Sequence, residues 1–208
     1  MANEVEGAYV FDFDDTLIKR QKLARFFGLL GGIKRRTQII QGLTLEEVAQ
    51  LNISHVRVNE HINGLLEETN FEFHARRSVF PWVKNYLEKL AESGVHIYGA
   101  TGRSNKAEWV DMTEKTLEVG EVQHLFMDIF YTPHGESTST SKIHVLRELG
   151  TKYKKVKFFD DDPRTVLRVA KSLSGVEVEY MFHTLTSLLV PAESLANQPN
   201  VKYFNSGR

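Results

Sequence analysis

Tyr9-Val10-Phe11-Asp12-Phe13-Asp14-Asp15-Thr16-Leu17 is the stretch on which the reading of this chain turns. Three carboxylates stand at the mouth of an apolar run, and an extended backbone would set Asp12 and Asp14 on one side, about 7 Å apart. Crowded anions are costly unless something compensates them, so the cluster points to a hard divalent cation such as Mg²⁺. The plainer alternative is a strand that ends in an acidic turn, with Asp15-Thr16 capping whatever follows.

After Leu17 the pattern changes. Residues 18–79 show no convincing strand, but Leu45, Val48 and Ala49, then Val56, Leu65 and Leu66, keep apolar groups near one helical face. Thr44 with Glu47 three residues on reads as a capping box. Some sixty structureless residues inside a compact domain would be unusual, so this segment is predicted to be a small helical insert over the carboxylates. It carries ten basic side chains against six acidic ones. That excess is either a solvated face or an entrance that draws in an anion, with Arg35 and Arg36 beside Gly31-Gly32 as the candidate steering charges.

From Phe80 strands and helices alternate. Pro81 suits a helix start, Val83, Leu87, Leu90 and Ala91 repeat at helical spacing, and Gly94 is a stop signal. Val95 to Ala100 reads as a strand running into Thr101-Gly102-Arg103-Ser104, with Gly102 permitting a tight turn and Ser104 capping a helix to about Val119. A strand at Phe126–Tyr131 and a polar loop from Thr132 follow, then a helix capped by Ser141 with Lys142 at its beginning. Val156 to Phe159 leads into Asp160-Asp161-Asp162-Pro163, where Asp162 and Pro163 open another helix. Val176, Val178, Tyr180 and Phe182 alternate with polar residues, as at a sheet edge with one wet face. One more helix and a polar tail are expected after His183.

This alternation predicts an α/β fold: a Rossmann-like parallel sheet flanked by helices, with a small α-helical cap inserted after the first strand. The expected division is a core of residues 1–17 and 80–190, a cap of 18–79 and a tail of 191–208. Ligands of such sheets sit beyond the carboxyl ends of the strands, where Asp12, Thr101 and Asp160-Asp161 fall.

The 208 residues are 41% hydrophobic and carry 26 basic against 27 acidic side chains, a formal net charge of −1. No global field therefore marks a nucleic-acid or membrane protein. The absence of cysteine excludes disulfides, a thiol nucleophile and cysteine-ligated metal. No uncharged apolar run approaches the ~18 residues of a membrane span, and the acidic first residues lack a secretory pattern, so a cytoplasmic protein is expected.

The D-x-D-x-T-L order of residues 12–17 resembles the first motif of the haloacid dehalogenase-like hydrolases. Thr101 at the end of an apolar strand is similar to their second motif, Lys142 to the third, and Asp160-Asp161 after Phe158-Phe159 to the fourth. The likeness covers roughly residues 8–17 and 80–175, and the insert lies where many members carry a cap. It implies a phosphatase in which Asp12 attacks phosphorus and Asp14 serves as general acid and then base. Mg²⁺ would be held by the Asp12 carboxylate, the Asp14 backbone carbonyl and Asp161, with Asp160 in support. Thr101, Gly102 and Lys142 would hold the phosphoryl oxygens. Three consecutive aspartates leave the register of the inner ligand open by one. The implied substrate is a small phosphorylated compound. The flanks of Thr101 and Lys142 also resemble phosphatases of nucleotides or polynucleotide ends, which keeps a nucleic-acid end-processing or interaction module as an alternative. A non-catalytic binding domain on the same fold is the remaining one.

Overall fold

The computed structural model describes residues 7–19, 77–181 and 192–204. By internal contacts the chain divides into a unit of Met1–Lys19 with Ser78–Arg208 and a second of Arg20–Arg77. The expected cap, with Arg35 and Arg36, lies outside the described residues.

Eight strands are described: β1 (Ala8–Phe11), β2 (Ile18–Lys19), β3 (Ser78–Val79), β4 (His96–Ser104), β5 (Asp128–Thr132), β6 (Val156–Asp160), β7 (Val176–Tyr180) and β8 (Val201–Tyr203). The described helices are α1 (Val83–Glu92), α2 (Ala107–Val119), α3 (Thr138–Lys152), α4 (Pro163–Ser172) and α5 (Ala192–Ala196). Six strands form one sheet in the order β5-β4-β1-β6-β7-β8. Every pairing in it is parallel.

The period of two along each strand divides the core between the faces. Val10, Phe158 and Val178 pack with Leu146, Leu149, Val166 and Val169 of α3 and α4. Phe11, Ile97 and Phe159 pack on the other face with Val83 and Leu87 of α1 and Leu117 of α2. The rings of Phe11 and Phe159 stack across neighbouring strands, 4.3 Å between centroids. Central strands buried on both faces are what a parallel sheet between helix layers requires.

Several boundaries differ from the sequence expectation. Ile18–Lys19 and Ser78–Val79, expected within a wholly helical insert, pair antiparallel as β2 and β3. Strand β4 does not stop at Ala100 but continues through Ser104, with an irregularity against β5 between Thr101 and Ser104. Gly102 therefore sits in a strand, not a tight turn. Its glycine is a steric requirement, since a Cβ there would lie 2.9 Å from Thr138 Cγ2 and 3.0 Å from Thr138 Oγ1. Ser104 accepts a bond from the Lys106 amide at 3.4 Å, but helix α2 begins only at Ala107. The cap of helix α3 lies four residues ahead of the expected one, because Ser137, not Ser141, accepts the Thr140 amide. Asp162 caps α4 and Pro163 opens it, as read from the sequence. β7 is not an edge, since β8, in what was expected to be a polar tail, pairs along it.

Candidate active site

Strand register brings the acidic residues together. Phe11 of β1 pairs with Gly99 on one side and Phe159 on the other, so the next residue along each chain is Asp12 beside Asp160. The Asp12 amide continues the ladder by donating to the Phe159 carbonyl at 2.9 Å. β1 ends at Phe11, and the chain turns at Asp15–Leu17. The Thr16, Leu17 and Ile18 amides all donate to the Phe13 carbonyl, at 3.3, 2.9 and 2.7 Å. Asp15 takes φ +66°, a left-handed conformation that aspartate tolerates better than most residues. Phe13, fully buried, lies so close over Gly99 that a Cβ there would come within 2.5 Å of its ring. That close approach fastens the turn to the sheet.

Asp12, Asp160 and Asp161 each offer a carboxylate oxygen within 4.8 Å of the others, and all three are buried. Lys142, in the second turn of α3 and itself buried, donates to Asp12 Oδ1 and to Asp160 Oδ2, both at 2.7 Å. The second oxygen of Asp160 accepts the Asp162 amide at 2.7 Å. Both oxygens of Asp160 are thus committed to the protein. Thr101, buried in β4, accepts the Arg103 amide at 3.2 Å through its hydroxyl and the Thr132 hydroxyl at 2.8 Å through its carbonyl.

Burial pushes the Asp12 carboxyl up to about 7, with Asp160 and Asp14 adding to the rise and Lys142 opposing it. Burial likewise raises Asp160 against the pull of Lys142. Burial alone would lower Lys142, but the Asp12 and Asp160 carboxylates outweigh it and hold its ammonium well above the usual range. Three buried carboxylates converge around one ammonium, and three converging oxygen donors suit a hard divalent cation. The donor set therefore fits a metal.

Asp14 is not in that cluster. Its carboxylate receives Arg103 Nη2 on Oδ1 at 2.8 Å and Arg103 Nε on Oδ2 at 3.2 Å. Arg103 in turn donates through Nη1 to Thr113 Oγ1 at 2.9 Å. Neither Arg103 nor Thr113 was singled out from the sequence, where Arg103 is only the third residue of an apparent turn.

An all-parallel α/β sheet with acidic residues at adjacent strand ends and a lysine from a following helix defines the haloacid dehalogenase-like fold. The likeness to solved structures is of that kind. A Bacteroides fragilis protein assigned as a haloacid dehalogenase-like hydrolase is 16% identical, with a TM-score of 0.63 over 95% of each chain. A Clostridium difficile protein assigned as a phosphatase is 17% identical, with a TM-score of 0.61 over 96% of this chain and 94% of that one. CbbY from Rhodobacter sphaeroides, solved with xylulose-1,5-bisphosphate, is 16% identical, with a TM-score of 0.56 over 94% and 92%. No family's sequence profile matches the chain. No curated protein matches it either. Among the described residues no helix is long and apolar enough to cross a membrane.

Proposed function

We propose that the protein is a phosphatase that hydrolyses a phosphate monoester through an aspartyl-phosphate on Asp12, with Mg²⁺ as cofactor. The observation that carries this reading is the buried Asp12, whose carboxylate accepts from Lys142 and lies within 4.8 Å of those of Asp160 and Asp161. Lys142 is bonded to two acids at once, Asp12 and Asp160, where a structural ion pair needs only one.

Asp12, the Asp14 backbone carbonyl and Asp161 would hold Mg²⁺. Asp161 is taken as the inner acid, as the family resemblance implies, while Asp160 accepts Lys142 and the Asp162 amide. Bound there, the cation would neutralise phosphoryl charge and let the carboxylates approach a dianion. A carboxylate oxygen of Asp12 attacks phosphorus as the bond to the leaving oxygen breaks, and Asp14, entering the cycle protonated on a lone pair that Arg103 leaves open, delivers that proton to the leaving oxygen. Asp14, now ionised, takes a proton from the water that attacks phosphorus, and the bond to Asp12 breaks to release phosphate. Lys142, Thr101 and the Gly102 amide would receive the phosphoryl oxygens, and Lys142 also keeps Asp12 turned toward them. Small phosphorylated compounds are the substrate class, and sugar phosphates belong in the screen because the Rhodobacter protein holds a sugar bisphosphate.

The test is turnover of para-nitrophenyl phosphate and of a panel of phosphorylated metabolites and 3′- or 5′-phosphorylated oligonucleotides, with Mg²⁺ and with EDTA. Metal-dependent phosphate release that vanishes in Asp12→Asn is the expected result. Release that persists in purified Asp12→Asn would refute the assignment of the nucleophile.

A further inference from the structure

Arg103 is 3% exposed, yet nothing in the mechanism above employs it. Its side chain makes no approach to solvent, and Nε, Nη1 and Nη2 each bond a protein group: two on Asp14, one on Thr113. A guanidinium so enclosed is poorly placed to bind an incoming anion. What it does hold, in a two-pronged grip, is the acid that must face the leaving oxygen. The far end of the grip is also fixed. Thr113 is fully buried, and its hydroxyl donates to the Trp109 carbonyl, one helical turn back, at 2.6 Å. With its hydrogen so directed, its oxygen lone pair is left for Arg103 Nη1. The chain of contacts runs from the backbone of α2 through Thr113 and Arg103 to Asp14.

On the phosphatase reading, we propose that Arg103 is the positioning residue for Asp14, with Thr113 as its anchor, and that together they set which leaving groups the enzyme can expel. Two parallel bonds fix the plane of the Asp14 carboxylate as well as its position, which a lysine at 103 could not do. Proton delivery matters most when the leaving group is a poor one. An alkoxide leaves only if protonated, whereas para-nitrophenolate leaves unaided. A misdirected Asp14 therefore harms alkyl esters selectively, while loss of phosphate binding or of the nucleophile harms every ester alike.

The experiment compares kcat/KM for β-glycerophosphate, phenyl phosphate and para-nitrophenyl phosphate in the full-length protein with Mg²⁺. Its variants are Arg103→Met, Arg103→Lys, Thr113→Val and Thr113→Ser. Both Arg103 variants are expected to lose at least about 10-fold more on β-glycerophosphate than on para-nitrophenyl phosphate, with phenyl phosphate between and KM changed by less than about twofold. Thr113→Val is expected to shift the ratio the same way by about 3-fold or more, and Thr113→Ser to restore it. Thr113→Val keeps the charge of Arg103 and nearly the shape of threonine, so it carries the comparison should Arg103→Met not be recovered folded. Equal losses across the three esters, or an unchanged ratio in Thr113→Val, would overturn the positioning role while leaving the phosphatase standing. A wild-type protein that hydrolyses none of the three, and none of the wider panel, would overturn both.

Discussion

Replacing Asp12 by asparagine is expected to make the cation-free protein more stable, by an amount that grows with pH. The Asp12 carboxyl ionises at about 7 in the folded chain, chiefly through burial, against an ordinary 3.8. In the unfolded chain it ionises near that ordinary value. Between about pH 4 and pH 7 the folded state thus holds a proton that the unfolded state has released, and the unfolding free energy falls as pH rises. Below that window the group costs nothing, and above it the cost is complete. The ceiling on that cost is roughly 4 kcal/mol, taking 1.36 kcal/mol for each tenfold displacement between 3.8 and about 7.

Asparagine removes the slope but also weakens one of the two acceptors of Lys142, a loss of about 1–2 kcal/mol that pH does not change. The net advantage of the variant at pH 8 is then about 1–3 kcal/mol, and roughly 2–3 kcal/mol of the difference from wild type opens between pH 5 and pH 8. For a domain of this size that is about 2–4 °C of melting temperature per kcal/mol. Thermal unfolding in EDTA at the two pH values reads it directly. Adding millimolar MgCl₂ at pH 8 is expected to raise the wild type more than the variant, because the cation cancels the charge that asparagine has already reduced. A variant no more stable than wild type at pH 8 in EDTA would refute the argument that the cluster carries uncompensated charge.

Asp14→Asn is expected to abolish turnover while keeping the circular-dichroism spectrum, with stability lower by about 1–3 kcal/mol because Arg103 stays buried without its anion; phosphate release in the pure variant would contradict the acid-base role. Gly99→Val places carbon where the Phe13 ring lies 2.5 Å from even a Cβ, and is expected to cost at least about 2 kcal/mol in urea unfolding. A variant with the wild-type midpoint would show that the turn carrying Asp14 is not fastened there. Charge reversal at Arg35 or Arg36 is expected to raise KM more than kcat falls, and unchanged KM in both would return those side chains to the solvated-face reading.

What could be read ahead in this chain was whatever depends on local order. Asp12 and Asp160 each follow an apolar run, and a run of that kind can only be a buried strand or a buried helix segment. The Asp162-Pro163 pair states a helix start in two residues. Ser137 to Ser141 does not, since each of its five hydroxyl side chains is an acceptable cap and an acceptable loop residue. Ser137 wins because its oxygen meets the Thr140 amide, a choice visible only in the coordinates. The three residues of β8 were illegible for another reason. Val201-Lys202-Tyr203 is too short to show a period, and its place is created by the open side of β7.

In the sequence Gly102 and Arg103 read together as a turn. Thr-Gly-Arg-Ser has the composition of a turn, and composition cannot distinguish a glycine that bends from one that yields space. Here it yields space, because the Thr138 side chain at the start of α3 presses onto the β4 backbone. That contact joins the strand bearing Thr101 to the helix bearing Lys142, so the lysine reaches Asp12 from a residue 130 positions away. With Gly102 in the strand, β4 runs on until Ser104 pairs with Thr132, and Arg103, at the irregularity just before, lies in the interior against Asp14. Arg103 and Asp14 are 89 positions apart, and neither is unusual alone. A buried arginine is intelligible only with its anion, and an acid held away from the carboxylate cluster only with its arginine. The pair becomes a functional statement at the point where the register of one strand makes them neighbours.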